Sequence, residues 1–180
     1  MEALINYQTM VTDLTGMEIS NASLLDEGTA ASEAMTMFFR VRKGPKKNAF
    51  KFFVSNKIFP QTIELLKTRS EPLGIELVID DLDKFNFGDS YFGAIFQYPD
   101  NDGNIVDLSS YLEKARSKSI FTCVASDLMS LVLLKSPGEM RADAVVGNSQ
   151  RFGVPRDMEG LTLLFMLQKK NLKDIYLEEL

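Results

Sequence analysis

The sequence predicts an α/β domain with a mainly parallel sheet and helices over both faces. Short apolar or β-branched runs near residues 50–54, 75–79, 91–97, 120–125 and 142–146 read as strands. Segments of helical spacing fall between several of them, and strands divided by helices pair in parallel and need cover on both sides. The 180 residues, 45% of them hydrophobic, suffice for one real core. No repeat, low-complexity tract or internal linker interrupts them.

Taken in order, Leu4, Tyr7, Val11 and Leu14 keep helical spacing over Glu2 to Leu14, and Gly16 supplies the stop. The chain is in helical stride from its first residues, which suggests a start codon inside a larger ancestral domain. The stretch Asn21 to Ala34 organises the rest of the chain. Asp26 offers an N-cap oxygen, Glu27 puts an acid in the first turn, and Gly28 and Thr29 open a run of strong helix formers. Ala30, Ala34, Met37, Phe38 and Val41 carry the apolar stripe to about Val41, and Lys43-Gly44-Pro45 ends it. Phe50 to Val54 is an aromatic strand. Pro60 suits a helix start, and Ile63, Leu65 and Leu66 face that helix inward through Ser70. Strands come next at Ile75 to Ile79 and Tyr91 to Gln97. Tyr98-Pro99-Asp100-Asn101-Asp102-Gly103 is dense turn chemistry. Leu108 to Lys118 reads as a helix, Ile120 to Ala125 as a buried strand, and Ala142 to Val146 as a last short strand.

Composition excludes several classes of function. The net charge of -5, from 20 basic and 25 acidic residues, does not suggest nucleic acid or an anionic membrane as partner. Basic residues gather at Arg40, Arg42, Lys43, Lys46, Lys47 and Lys51, which reads as a solvated helix end and loop. With Cys123 as the one cysteine there is no internal disulfide framework, which fits a reducing compartment. Histidine is absent, so the chain holds no His-based metal site, Ser-His-Asp triad or Cys-His pair. No apolar run is long enough to span a bilayer and the N-terminus lacks a signal-peptide pattern, so a cytoplasmic protein is expected.

Ligands of such sheets collect beyond the carboxyl ends of the strands. That marks Asn56 to Phe59, Gln97 to Pro99, Ser126, Asp127 and Asn148 to Arg151 as candidates. Asp127 suits either a cationic ring nitrogen or the cap of the next helix, the cap being the commoner role. Arg151 suits an anion or an interface brace, and Arg69 reads as surface. The helix start at Asp26 presents N–H groups and a positive dipole end to a phosphate or carboxylate. On these residues alone an ordinary capped helix is preferred.

The strings LINYQTMVTDLTGMEISNASLLDEGTAASEAM, FPQTIELLKTRSEPLGIELV, FQYPDNDG and PGEMRADAVVGNSQRFGVP together resemble the P-protein family of the glycine cleavage system. The likeness runs from Glu2 to Pro155 almost without a gap. It implies a partial large domain, residues 1–155, of a fold type I pyridoxal-phosphate-dependent enzyme. The implied reaction decarboxylates glycine and passes its aminomethyl group to the lipoylated H-protein. The family has two homologous halves, fused or split, and NSQRFGVP resembles the N-terminal one. By that resemblance Gln150 stands where the cofactor-bearing half has its Schiff-base lysine, and a carboxamide cannot form an imine. Val124 falls near the place of the aspartate that stabilises the protonated pyridine nitrogen. Asp26, Glu27, Gly28 and Thr29 resemble the cofactor-phosphate cup, here an inherited scaffold, with Asp127 as a further cofactor-binding candidate. No catalytic residue is expected, and pyridoxal phosphate is not expected to be held covalently.

Two departures stand out. The family usually reads His-Pro-Gln-Thr where this chain has Phe59-Pro60-Gln61-Thr62. After Pro155 the family continues Gly-aromatic-Gly-Gly-Pro-His-Ala-Ala, whereas residues 156–180 read RDMEGLTLLFMLQKKNLKDIYLEEL. Codons exist for this tail that in a neighbouring frame give GYGGPHAAFYATKEEFKRHIPGRI, so a frameshift near Pro155 is expected. The apolar stretch Leu161 to Leu167 would then dock as a helix or become an aggregation site. The rival is a native amphipathic helix over Leu161 to Leu177.

The resemblance thus implies an N-terminal-half fragment that supports a C-terminal half, or subunit 2, of glycine dehydrogenase and is inactive alone. Two alternatives stand beside it: a non-catalytic interaction module, and a different fold type I aminotransferase or decarboxylase acting alone.

Overall fold

The computed structural model describes residues 2–21, 24–153 and 164–168, the last of these as backbone. In chain order the elements are α1 (Glu2–Thr15), β1 (Ile19–Ser20), α2 (Glu27–Val41), β2 (Lys51–Ser55), α3 (Pro60–Ser70), β3 (Glu76–Asp80), β4 (Tyr91–Tyr98), α4 (Ser109–Ser117), β5 (Phe121–Ser126), β6 (Ala144–Asn148) and β7 (Leu164–Gln168). Among the described residues, seven strands form one sheet in the order β1-β7-β6-β5-β4-β2-β3. The run from β3 to β6 is parallel throughout. β7 then runs antiparallel between β6 and β1.

Both faces of the sheet are covered, as a parallel sheet requires. On one face α2 and α3 bring Ala34, Met35, Phe38 and Leu66 onto Phe52, Val54, Ile95, Cys123 and Val146. On the other, Val11 of α1 and Leu112 and Ala115 of α4 join Phe53, Phe96, Val124 and Val145. β4 is buried along its whole length, so its sequence carries no polar alternation. Aromatic rings fill both layers: Phe38 stacks on Phe121 with centroids 5.1 Å apart, and Phe53 on Phe85 at 4.3 Å. Each fully buried ring contributes on the order of 2–3 kcal/mol.

Helix bounds track the local signals closely. Asp26 caps α2, and Pro60 stands at the first position of α3. The turn after β4 is also built as its residues dictate. Asp100 Oδ1 accepts from the backbone N–H of Asp102 and Asn104, and Gly103 takes a φ of 84°.

Two expectations need correction. Lys46 is not solvated; its side chain is 4% exposed and holds the carbonyls of Gly88 and Asp89. One long apolar stem can lie under a turn while its neighbours stay wet. The tail residues 164–168 form strand β7, not a helix or an undocked segment. Leu164-Phe165-Met166-Leu167 is a short continuous apolar run, and the free edge of β6 gives its backbone partners. Residues 161–163 and 169–177 of the expected tail helix lie outside the described residues.

The junction of α1 with the segment before β6 is a backbone-to-backbone contact. A Cβ placed on Gly138 would stand 2.1 Å from the Gly16 carbonyl oxygen, and the Gly138 N–H donates to Thr15 O at 2.8 Å. Gly138→Ala is therefore expected to destabilise the fold by roughly 1–3 kcal/mol, read as a lower urea midpoint at unchanged m-value.

Candidate functional site

The loops after β5 and β6 and the N-terminus of α2 meet at the carboxyl edge of the sheet. Asn148, the last residue of β6, donates from Nδ2 to Glu27 Oε2 at 2.7 Å, seating the first turn of α2 over the strand end. The Gln150 backbone N–H donates to Asn148 Oδ1 at 3.3 Å, so the turn carrying Gln150 hangs on the same side chain. Asp127 directly follows β5. Its Oδ1 accepts from the Met129 N–H at 3.1 Å, capping a short 3-10 turn, and its Oδ2 pairs with Arg151. The Tyr98 carbonyl ties β4 to this loop by accepting from the Asp127 N–H and the Ser126 hydroxyl.

Asp26, Glu27, Asp127, Gln150 and Arg151 are thus brought to one edge, where Asn148 joins Glu27 to the Gln150 turn and Asp127 pairs with Arg151. Val124 lies inside β5, fully buried in the apolar layer with Phe53 and Phe96. The carboxylate at the end of this strand belongs to Asp127. Gln97, on β4 beside Ala125, is 7% exposed, and its Oε1 has no hydrogen-bond partner among the described residues. Asn56 sits apart, donating to Asp81 Oδ1 at 2.6 Å. Phe59 stands at the N-cap position of α3 with no side-chain cap, and Arg69 is exposed on the same helix. The Glu27–Asn148 bond has no signal in the sequence, because it joins residues 121 positions apart.

The head of α2 is closed on itself. Asp26 Oδ1 accepts from the Thr29 N–H at 2.6 Å, and the Asp26 N–H donates to Thr29 Oγ1 at 2.9 Å. The Thr29 hydroxyl donates to the Asp26 carbonyl at 2.8 Å. Gly28 packs against Leu65 of α3, whose Cδ2 would lie 2.9 Å from an added Cβ. Burial pushes the Glu27 carboxyl above its usual range; the Asn148 bond pulls it down, and Asp127 and Asp26 raise it again. A cofactor phosphate set here would find a first-turn donor already used and carboxylates beside it. The residues present do not fit that group.

The head of α2 yields two expected outcomes. Asp26→Ala removes the side-chain arm of the capping box, the acceptor of the Thr29 N–H, and is expected to cost about 1 kcal/mol in urea unfolding. For Glu27 the folded pKa lies above the unfolded one, so its stabilising contribution is present at low pH and lost as pH rises through the folded value. Glu27→Gln, which keeps an acceptor for Asn148, is expected to raise the urea midpoint at pH 7. That gain is expected to vanish as pH falls below the ordinary carboxylate value of about 4.3.

The family model described as "Glycine cleavage system P-protein" matches residues 1–175. The glycine dehydrogenase (decarboxylating) of Christiangramia forsetii is 49% identical over 175 residues, which cover 96% of this chain and 18% of that protein. Among solved structures, an inhibitor-bound glycine decarboxylase (P-protein) of the glycine cleavage system superposes with a TM-score of 0.84. It is 28% identical, with 96% of this chain and 39% of that chain covered. A cystathionine gamma-lyase from Lactobacillus plantarum shares the fold at a TM-score of 0.71 and 12% identity, covering 94% and 43% of the two chains. The chain spans about a fifth of the length of the curated relatives it matches. With the α/β sheet, the capped α2 and the loops after β5 and β6 in place, the chain belongs to the P-protein family of the glycine cleavage system.

Proposed function

We propose that this chain serves as an N-terminal-half portion of glycine dehydrogenase (decarboxylating), supporting a partner half that carries pyridoxal phosphate. The observation that carries this reading is Gln150 in the turn after β6, at the edge where the family resemblance sets the Schiff-base lysine. A carboxamide forms no imine with an aldehyde, and Asp26, Glu27, Asp127, Asn148 and Arg151 around it include no primary amine. The self-capped head of α2 supports the same reading, since the Asp26 carboxylate already takes the Thr29 N–H. Asp26 to Thr29 are then a retained scaffold, and Asp127 is a brace for Arg151. In the complete enzyme the partner half would decarboxylate glycine and deliver the aminomethyl group to lipoylated H-protein, in the cytoplasm.

The tail fits this reading as well. We infer that Arg156 onward is read out of frame, although the family match runs to residue 175. Sequencing the locus across Pro155 checks it: a displaced glycine-rich turn in a neighbouring frame is the expected result.

The purified chain, supplied with pyridoxal phosphate, is expected to exchange no carbon dioxide with glycine. Added to a separately purified cofactor-bearing half, it is expected to co-elute with that half. Glycine-dependent exchange by the chain alone would overturn the reading and favour a self-sufficient fold type I enzyme. Failure to co-elute would remove the supporting role.

A further inference from the structure

A cleft of about 260 Å³ opens at the other end of the sheet, where the parallel strands begin. Lys43 just past α2, Lys46 in the next turn and Arg116 near the end of α4 line it, with Ser119, Ile120 and Phe121 at the start of β5. We propose that this cleft binds a phosphoryl anion, held by Lys43, Lys46 and Arg116.

Lys46 makes it a built site, since 4% exposure is unusual for a lysine. Its ammonium reaches the Gly88 and Asp89 carbonyls at 3.3 Å each and Asp89 Oδ1 at 3.8 Å. These are long contacts for a charged donor, whose usual range is about 2.7–2.9 Å. Burial pulls this ammonium below its usual pKa and Lys118 pulls in the same direction, while Asp89 opposes them. A buried cation with slack bonds and a second cation nearby is stabilised by an arriving anion. The Lys43 and Arg116 side chains are exposed and take part in no hydrogen bond or ion pair among the described residues.

The one carboxylate on the wall, Asp143, already accepts from the Thr122 N–H at 2.9 Å and the Thr122 hydroxyl at 3.1 Å. Among the described residues, three lining cations stand against the engaged Asp143 and the solvent-exposed Asp89 that pairs with Lys46, and the remaining positive charge favours an anion. A phosphoryl group offers three oxygens to the three side chains, which a single carboxylate does not. Ile120 and Phe121 give the same space an apolar wall for the group that carries the phosphate.

The surroundings reinforce the field. Lys47, Lys51 and Lys118 stand at or near this end of the strands, whereas Asp80, Asp81, Asp100, Asp102 and Asp127 stand at or beyond the carboxyl ends. Glu76, paired with Lys51, and Asp89 and Asp143 offset part of this positive charge, as Lys57, Lys84 and Arg151 offset part of the acidic charge at the other end.

The test is titration calorimetry of the full chain with inorganic pyrophosphate at low ionic strength. Saturable binding is expected, weakened roughly tenfold or more in the double variant Lys43→Ala/Arg116→Ala, which sacrifices two charge-assisted contacts. The double variant Arg40→Ala/Arg69→Ala, which removes equal charge from the groove between α2 and α3, is expected to bind as the parent does. Absence of saturable heat, equal weakening in both double variants, or succinate binding as tightly as pyrophosphate would each overturn the proposal. All four substituted side chains are exposed, and circular dichroism confirms that the variants compared are folded.

Discussion

A parallel sheet has no face to leave in water, and in this protein α2 supplies most of the cover on one side. Its buried face of Ala30, Ala31, Ala34, Met35, Phe38 and Val41 lies across β4, β5 and β6. The small residues let the helix approach, and Phe52 and Phe38 fill the space over Gly93, where a Cβ would meet their rings at 2.7 Å and 3.3 Å. Once that packing is fixed, the head of α2 arrives at the carboxyl edge and its tail at the opposite edge. Both polar regions of the molecule are therefore placed by one apolar contact surface.

The two ends of α2 are treated in opposite ways. At the head, the Asp26 carboxylate takes the Thr29 N–H and the Glu27 carboxylate, held by Asn148, sits at the positive end of the dipole. At the tail, Lys43 and Lys46 come after the last turn, and Lys46 is carried inward under the 88–89 turn. This division accounts for a fold shared with pyridoxal-phosphate enzymes but a carboxyl edge whose charged groups mainly satisfy one another. The likeness is one of architecture, and the chemistry has to be argued side chain by side chain.

Much of the fold was legible in the sequence where a local signal decides it. The capping residue and acidic first turn set the start of α2, Pro60 set that of α3, and the Asp- and Gly-rich run after β4 set its turn. Strand β1 was not legible, because two residues carry no periodicity and exist as a strand only through pairing with β7. β7 itself was misread, since a five-residue apolar run takes its state from the edge it meets. At the site, the sequence singled out Asp127, Asn148 and Arg151 by their place after strands, yet it could not show their pairings. Lys46 was hidden among like residues: six basic side chains in twelve positions look alike until one is covered.

Among the described residues the basic groups outnumber the acidic ones where strands start and the acidic ones outnumber the basic ones where they finish, which gives this part of the molecule an electrical axis along the strand direction. A charged neighbour will turn it before touching it, so that encounters are oriented and their speed falls as salt is added.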